Sequence, residues 1–320
     1  MDPVILFFLL GFAARFWDSD LKLPEALYET LSIYLLLAIG LKGGVELAKH
    51  PMGTVLPQAA AAMAMGACLP LLAYPALRHL GRLNGFDAAS IAGHYGSVSV
   101  VTFAVGVSFL VKREVAFEEY MPLFVALMEV PGIVVGILLA RMTGSAAAPA
   151  VLARPAIQWG ALAHEIFLGK SVVLLGGGLA IGWFAGPSGL EPMSPLFFGL
   201  FKGVLALFLL EMGLVAAARI GDFRRAGPFL IGFGVITPVL FGAIGVLVGR
   251  ATGLSVGGAT LLGVLAASAS YIAAPAAMRI AIPEANPTLS IVTALGVTFP
   301  FNLTLGIPLY HEIARRLIFP

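Results

Sequence analysis

Gly93-His94-Tyr95-Gly96-Ser97-Val98-Ser99-Val100-Val101-Thr102 stands in the middle of an apolar run, 86–111, long enough to cross a bilayer. Two glycines and three hydroxyls at that depth favour a broken helix. In a membrane such a break is tolerated only where protein or a water-filled cavity covers the freed backbone groups. A second stretch, Ala267-Ser268-Ala269-Ser270-Tyr271-Ile272-Ala273-Ala274-Pro275, lies inside the run 255–281, and there Pro275 removes a backbone donor. Small residues at either place also suit close helix packing. Their recurrence at matching positions of the two halves favours a pair of discontinuous helices instead.

Outward from these stretches the chain is apolar throughout. Of 320 residues 59% are apolar and 11% charged, against about a quarter charged in a soluble domain, which excludes a soluble enzyme. Apolar runs bounded by charges or Pro/Gly clusters fall near 3–17, 24–48, 53–77, 86–111 and 117–142, then near 170–185, 194–217, 226–249, 255–281 and 286–310. The expected fold is therefore an all-α polytopic membrane protein of ten transmembrane helices. Residues 1–142 form one five-helix repeat, 143–169 a linker with a surface helix, and 170–320 a second repeat. The halves correspond in order. Gly40-Leu41 matches Gly213-Leu214, Gly81-Arg82 with Gly85 matches Gly249-Arg250 with Gly253, Ser97-Val98-Ser99 matches Ser268-Ala269-Ser270, and Pro131 matches Pro300, each about 170 residues on. An odd number of spans per copy inverts the second copy, an arrangement common in secondary transporters.

Orientation follows from the basic residues. One side of a ten-span chain holds Arg15, Lys22, Arg78, Arg82, Arg141, Arg154, Lys170, Arg219, Arg224, Arg225 and Arg279; the other holds Lys49, Lys112, Arg113, Arg250, Arg315 and Arg316. The richer side is assigned to the cytoplasm, which leaves both termini outside. A net charge of +2 spread over short loops forms no nucleic-acid patch, and Cys68, alone in an apolar run, reads as a small core residue.

Four ionisable residues fall within spans: Lys42, Glu129, Lys202 and Glu211. A charge at the centre of a helix costs about 2.5–3.5 kcal/mol on insertion scales, so each needs a partner or water. Glu129, in Met128-Glu129-Val130-Pro131-Gly132, joins a carboxylate to a proline-freed carbonyl, and the related stretch Phe299-Pro300-Phe301-Asn302 adds an amide. These are oxygen ligands for a hard cation; a proton-carrying or paired structural acid is the other reading of Glu129. Lys42 and Glu211 flank the equivalent glycines Gly40 and Gly213, which predicts an ion pair between spans two and seven. Lys202 is expected to snorkel to an interface. His94 is read as a hydrogen-bonded packing residue or as a titrating gate. There is no HExxH, GxSxG or P-loop motif, so the chain reads as no enzyme, with an ion gradient rather than ATP as its energy source.

The chain resembles the cyanobacterial sodium-dependent bicarbonate transporter family. The likeness is carried by Ile39-Gly40-Leu41 with Gly43-Gly44, Gly96 with Val98-Ser99 and Thr102, Met128-Glu129-Val130-Pro131, and the run from Leu265 through Ser270, Arg279, Ile282-Pro283 and Ala285-Asn286-Pro287 to Pro308. The resemblance implies two inverted five-span repeats with crossed spans four and nine, core and gate domains, a homotrimer in the bacterial inner membrane with periplasmic termini, and uptake of bicarbonate with Na⁺. It implies that Gly96, Ser99, Thr102, Ser268 and Ser270 line the anion and sodium sites; Ser97 and Tyr271, in the same two stretches, are read as further anion-site residues. Ser99, Glu129, Ser270 and Asn302 would serve Na⁺, with no other cofactor. Three departures stand out: Tyr271 and Val215 replace acids, and Val100 and Val101 replace small residues. The linker is shorter than in the cyanobacterial proteins, so their small PII-like regulatory partner is not expected to dock. The resulting expectation is Na⁺-coupled symport of bicarbonate or a small carboxylate by an elevator-like movement; an Na⁺/H⁺ antiporter and a non-transporting intramembrane ligand sensor are the alternatives.

Overall fold

In a computed structural model describing residues 3–145 and 159–318, every regular element is a helix. In chain order these are α1 (Pro3–Phe16), α2 (Glu25–Leu47), α3 (Met52–Pro75, prolonged by a π turn over Ala76–Leu80), α4 (Gly85–Gly96), α5 (Val100–Lys112) and α6 (Pro122–Ser145). There follow α7 (Trp159–Leu168), α8 (Lys170–Leu190), α9 (Phe201–Ala218), α10 (Phe223–Ala251), α11 (Val256–Ala267) and α12 (Ala273–Ala281). The last run comprises α13 (Pro287–Ile291), α14 (Phe299–Phe301) and α15 (Ile307–Ile318), joined by π turns over Val292–Thr298 and Asn302–Gly306.

Among the described residues eight helical runs are long and apolar enough to span a membrane, with α4 and α5 counted as one run (Gly85–Lys112) and the last run as another (Pro287–Leu317). The two expected spans outside that set have evident reasons. α1 has 14 residues, about 21 Å at 1.5 Å per residue against a hydrocarbon core of about 30 Å. The ninth span is divided between α11 and α12. In the linker, α7 packs on α8 and α12; residues 146–158, with Arg154, lie outside the described residues. The sixth run continues past 185 to Leu190 across a kink at Gly186, whose φ of 63° is a conformation that glycine adopts without strain.

The helices pack as two groups. In one, α1 lies along α9 and α2 along α8. Glycines set both crossings: a Cβ at Gly11 or Gly213 would strike the backbone of the opposite helix, as would one at Gly44 or Gly182. Close backbone approach of this kind is how helices associate in lipid, where water supplies no driving force. The other group holds α3, α4, α5, α6, α10, α11 and the final run, with α4 on α6, α3 on α6 and α10 on α11.

This packing corrects two sequence expectations. Gly40 meets α8, and Gly213 meets α1, so equivalent glycines do not face each other and their charged neighbours do not pair. Lys42 instead lies 3.6 Å from Glu119, while Glu211 has a buried oxygen without a hydrogen-bond partner. Cys68 is exposed on α3 rather than in the core.

Each end of the second group is tied across the halves. At one end the Glu118 carboxylate accepts from the Ser255 amide at 2.8 Å and from its hydroxyl at 3.0 Å, and Ser255 caps α11 through Gly258. At the other the Asp87 carboxylate accepts from the Asn286 amide at 2.6 Å, beside the Asn84 cap of α4. Tyr120, next to the first tie, donates to Gln58 at 2.8 Å, and burial together with the Glu118 charge raises its phenol above the ordinary value.

Candidate functional site

Both expected breaks are present and they touch. α4 ends at Gly96 and the chain leaves it through Ser97 at φ −89°, ψ 166°. α11 ends at Ala267 and leaves through Ser268 at φ −85°, ψ 164°. The two halves thus turn out of helix in the same backbone conformation, although only the serines are common to the two stretches. Each stretch then restarts a helix with a hydroxyl: Ser99 Oγ accepts from the Thr102 amide at 3.2 Å, and Ser270 Oγ accepts from the Ala274 amide at 3.1 Å. Serine is suited to this because its oxygen satisfies one of the amides a helix start leaves free.

The strands of broken chain are cross-linked. The Ser99 amide donates to Ser268 Oγ at 2.9 Å, and the Ser270 amide donates to the His94 carbonyl at 2.8 Å. Ser99 Oγ donates to the Tyr271 phenol oxygen at 3.3 Å, and Thr102 Oγ1 donates to Ser99 Oγ at 2.9 Å. Tyr271 stands edge-on to Phe299, ring centres 5.3 Å apart. Ser97, Ser99, Thr102, Ser268 and Ser270 are all buried. Gly96, Ser97, Ser99, Thr102, Ser268, Ser270 and Tyr271 thus lie at this one crossing.

Among the described residues two polar atoms there find no hydrogen-bond partner: Ser97 Oγ and His94 Nε2. The other ring nitrogen of His94 is held by the Ser90 carbonyl at 2.8 Å. Leaving a buried polar atom unmet costs about 1–3 kcal/mol, so these atoms are candidates for a ligand. The N-terminal ends of α5 and α12 start at the same crossing and favour negative charge there.

Glu129 and Asn302 border the second break and hold other partners there. The Asn302 amide donates to the Ala267 carbonyl at 2.8 Å, which holds the last run to α11, and its oxygen accepts from Tyr310 of the same run at 2.7 Å. Glu129, 3% exposed, bonds Ser171 at the start of α8, while its Oε2 finds no partner among the described residues. It lines a cavity of about 60 Å³ with Ile133, Ser171, Ile272 and Ala273. Glu129 therefore joins the two helix groups just beside the second break. Ser171 was not singled out from the sequence; a hydroxyl next to Lys170 at a helix start looks like an ordinary cap.

A much larger cavity of about 870 Å³ lies between the groups on the side of Lys49 and Glu191. It reaches Phe103 and Ala104, the residues that follow Thr102. Lys42 and Lys202, read as structural and interfacial, both line it.

A bundle in which two broken helices meet back to back, with buried hydroxyls and an intramembrane carboxylate around the meeting point, has the architecture of a multi-pass membrane transporter. The sequence matches the Na⁺-dependent bicarbonate transporter superfamily over residues 3–315, and the chain belongs to that family. No curated protein matches the chain.

Proposed function

We propose that this protein carries bicarbonate or a similarly small carboxylate into the cell together with Na⁺. The observation that carries the reading is the crossing itself: two helix starts, cross-bonded through Ser99, Ser268 and Ser270, beside the unpartnered Ser97 Oγ. A small anion there would meet hydroxyls and helix N-termini. Na⁺ would take carbonyl and hydroxyl oxygens at the breaks or the Glu129 carboxylate, all of them hard ligands.

The division into two helix groups supports alternating access. The group containing the crossing would move as one body against α1, α2, α8 and α9, as in an elevator, since the Glu118 and Asp87 ties bind its two halves together. The paired packing of α1 on α9 and α2 on α8 supports two inverted five-helix repeats, 1–142 and 170–320, with 143–169 between them. Residence in a bacterial inner membrane with periplasmic termini, and assembly as a homotrimer, belong to the same proposal.

The test is uptake of labelled bicarbonate by proteoliposomes under an imposed Na⁺ gradient. Uptake that rises with inward Na⁺ is expected; uptake indifferent to Na⁺ overturns the coupling. A second reading, Na⁺/H⁺ exchange, draws on the unpartnered Glu129 Oε2. It requires Na⁺ to change internal pH with no anion present, and loss of that change in Glu129→Gln.

A further inference from the structure

The cavity of about 870 Å³ is far larger than the proposed cargo needs. A bicarbonate ion has four heavy atoms, whereas the space equals that of about 30 waters at about 30 Å³ each. Its size falls within the range of sites that enclose drug-sized molecules, about 300–1,000 Å³. Most of the wall is apolar, with Phe103, Val107, Phe117, Phe198 and Phe201 contributed by both helix groups.

The charges on that wall are unequal in freedom. Lys49 is held by Glu46 at 2.7 Å. Lys42 faces Glu119 at a looser 3.6 Å, and both side chains are nearly half exposed. Lys202 makes no ion pair among the described residues and extends from the first turn of α9 into the cavity wall. Glu191, also on the wall, disfavours a second negative charge on any occupant.

We propose that this cavity binds an amphiphilic organic monoanion: a carboxylate seated on Lys202, with Lys42 in reach, and an apolar or aromatic body lying against Phe103, Val107 and Phe198. Because the wall is shared by the two groups, the occupant wedges them and stops their relative movement. Binding stands independently of the transport reading; arrest of uptake rests on it.

The probe is 4-phenylbutyrate, compared with 4-phenylbutan-1-ol and 4-phenylbutylamine, which keep the body and change the charge. Binding is read from the thermal stability of the protein in nanodiscs, with empty nanodiscs as control for partition. A saturable rise in Tm with the acid is expected, with the alcohol and amine at least fivefold weaker. Two variants locate the site. Lys202→Gln weakens the acid about fivefold and leaves the alcohol unchanged. Gly199→Phe fills the cavity: a Cβ at Gly199 meets only the Ser194 carbonyl, at 3.9 Å, so the ring has room and the fold is spared, and binding of all three probes is lost. No saturable shift, equal shifts for acid and amine, or acid binding unchanged in both variants overturns the proposal. Bicarbonate uptake measured without the probe shows separately whether the transport reading stands. If it does, the acid lowers uptake by wild type and not by Gly199→Phe that still transports.

Discussion

Ser99 uses one hydroxyl three ways: it caps α5, accepts from the Thr102 hydroxyl and donates to Tyr271. Ser99→Ala therefore removes a helix cap, a loss of about 1 kcal/mol, and the crossing's main hydroxyl. We expect a small drop in Tm with near-complete loss of uptake, measured on the same preparation. Tyr271→Phe is the contrasting case. Only the 3.3 Å bond from Ser99 is lost, the ring contact with Phe299 remains, and Tm stays within about a degree while the apparent affinity for the anion changes. At Glu129 the substitution to Gln keeps the shape and the Ser171 bond but removes the charge. Transport by Glu129→Gln is expected to lose its response to Na⁺; an unchanged Na⁺ response places the coupling ion elsewhere.

At the scale of elements, the breaks depend on what backs them. α6 presses Gly132 against the carbonyl of Gly96 and the amide of Ser97, and a Cβ at Gly132 would overlap both. Because the obstacle is backbone, it cannot rotate aside. Gly132→Val is expected to push α6 off the first break and cost about 1–3 kcal/mol, visible as a lowered Tm. Gly177→Ala on α8, where an added Cβ meets nothing, is its neutral control. The two π turns of the last run flank Phe299–Phe301, and Asn302 begins the second. Such turns occur in helices most often near functional sites, and here they bring Thr298 to Tyr95 and to the Gly234 carbonyl.

For the whole molecule, the carboxylates that tie the halves are of a different kind from Glu129: both accept backbone amides and hold the crossing group together from its two ends. Glu118→Ala strips the Ser255 amide and hydroxyl of their acceptor. It should cost about 1.5–3 kcal/mol, the range of hydrogen bonds to charged groups. Orientation has an equally direct check. In a Cys68→Ala background, a membrane-impermeant maleimide applied to intact cells should label Glu191→Cys and leave Arg82→Cys unlabelled; the reverse pattern inverts the charge-based assignment.

Helix positions and the two breaks were legible from the residues, because a bilayer demands long apolar runs and makes every glycine, hydroxyl and charge within them informative. The correspondence of Ser97-Val98-Ser99 with Ser268-Ala269-Ser270 marks both breaks in the sequence itself. Partnership was not legible. That Lys42 meets Glu119 rather than Glu211, that Glu129 meets Ser171 rather than Asn302, and that Lys202 borders a large cavity all depend on which helix faces lie together. In lipid, facing is decided by small-residue fit between helices, and the fit of Gly11 with Gly213 or Gly44 with Gly182 exists only once both helices are in place.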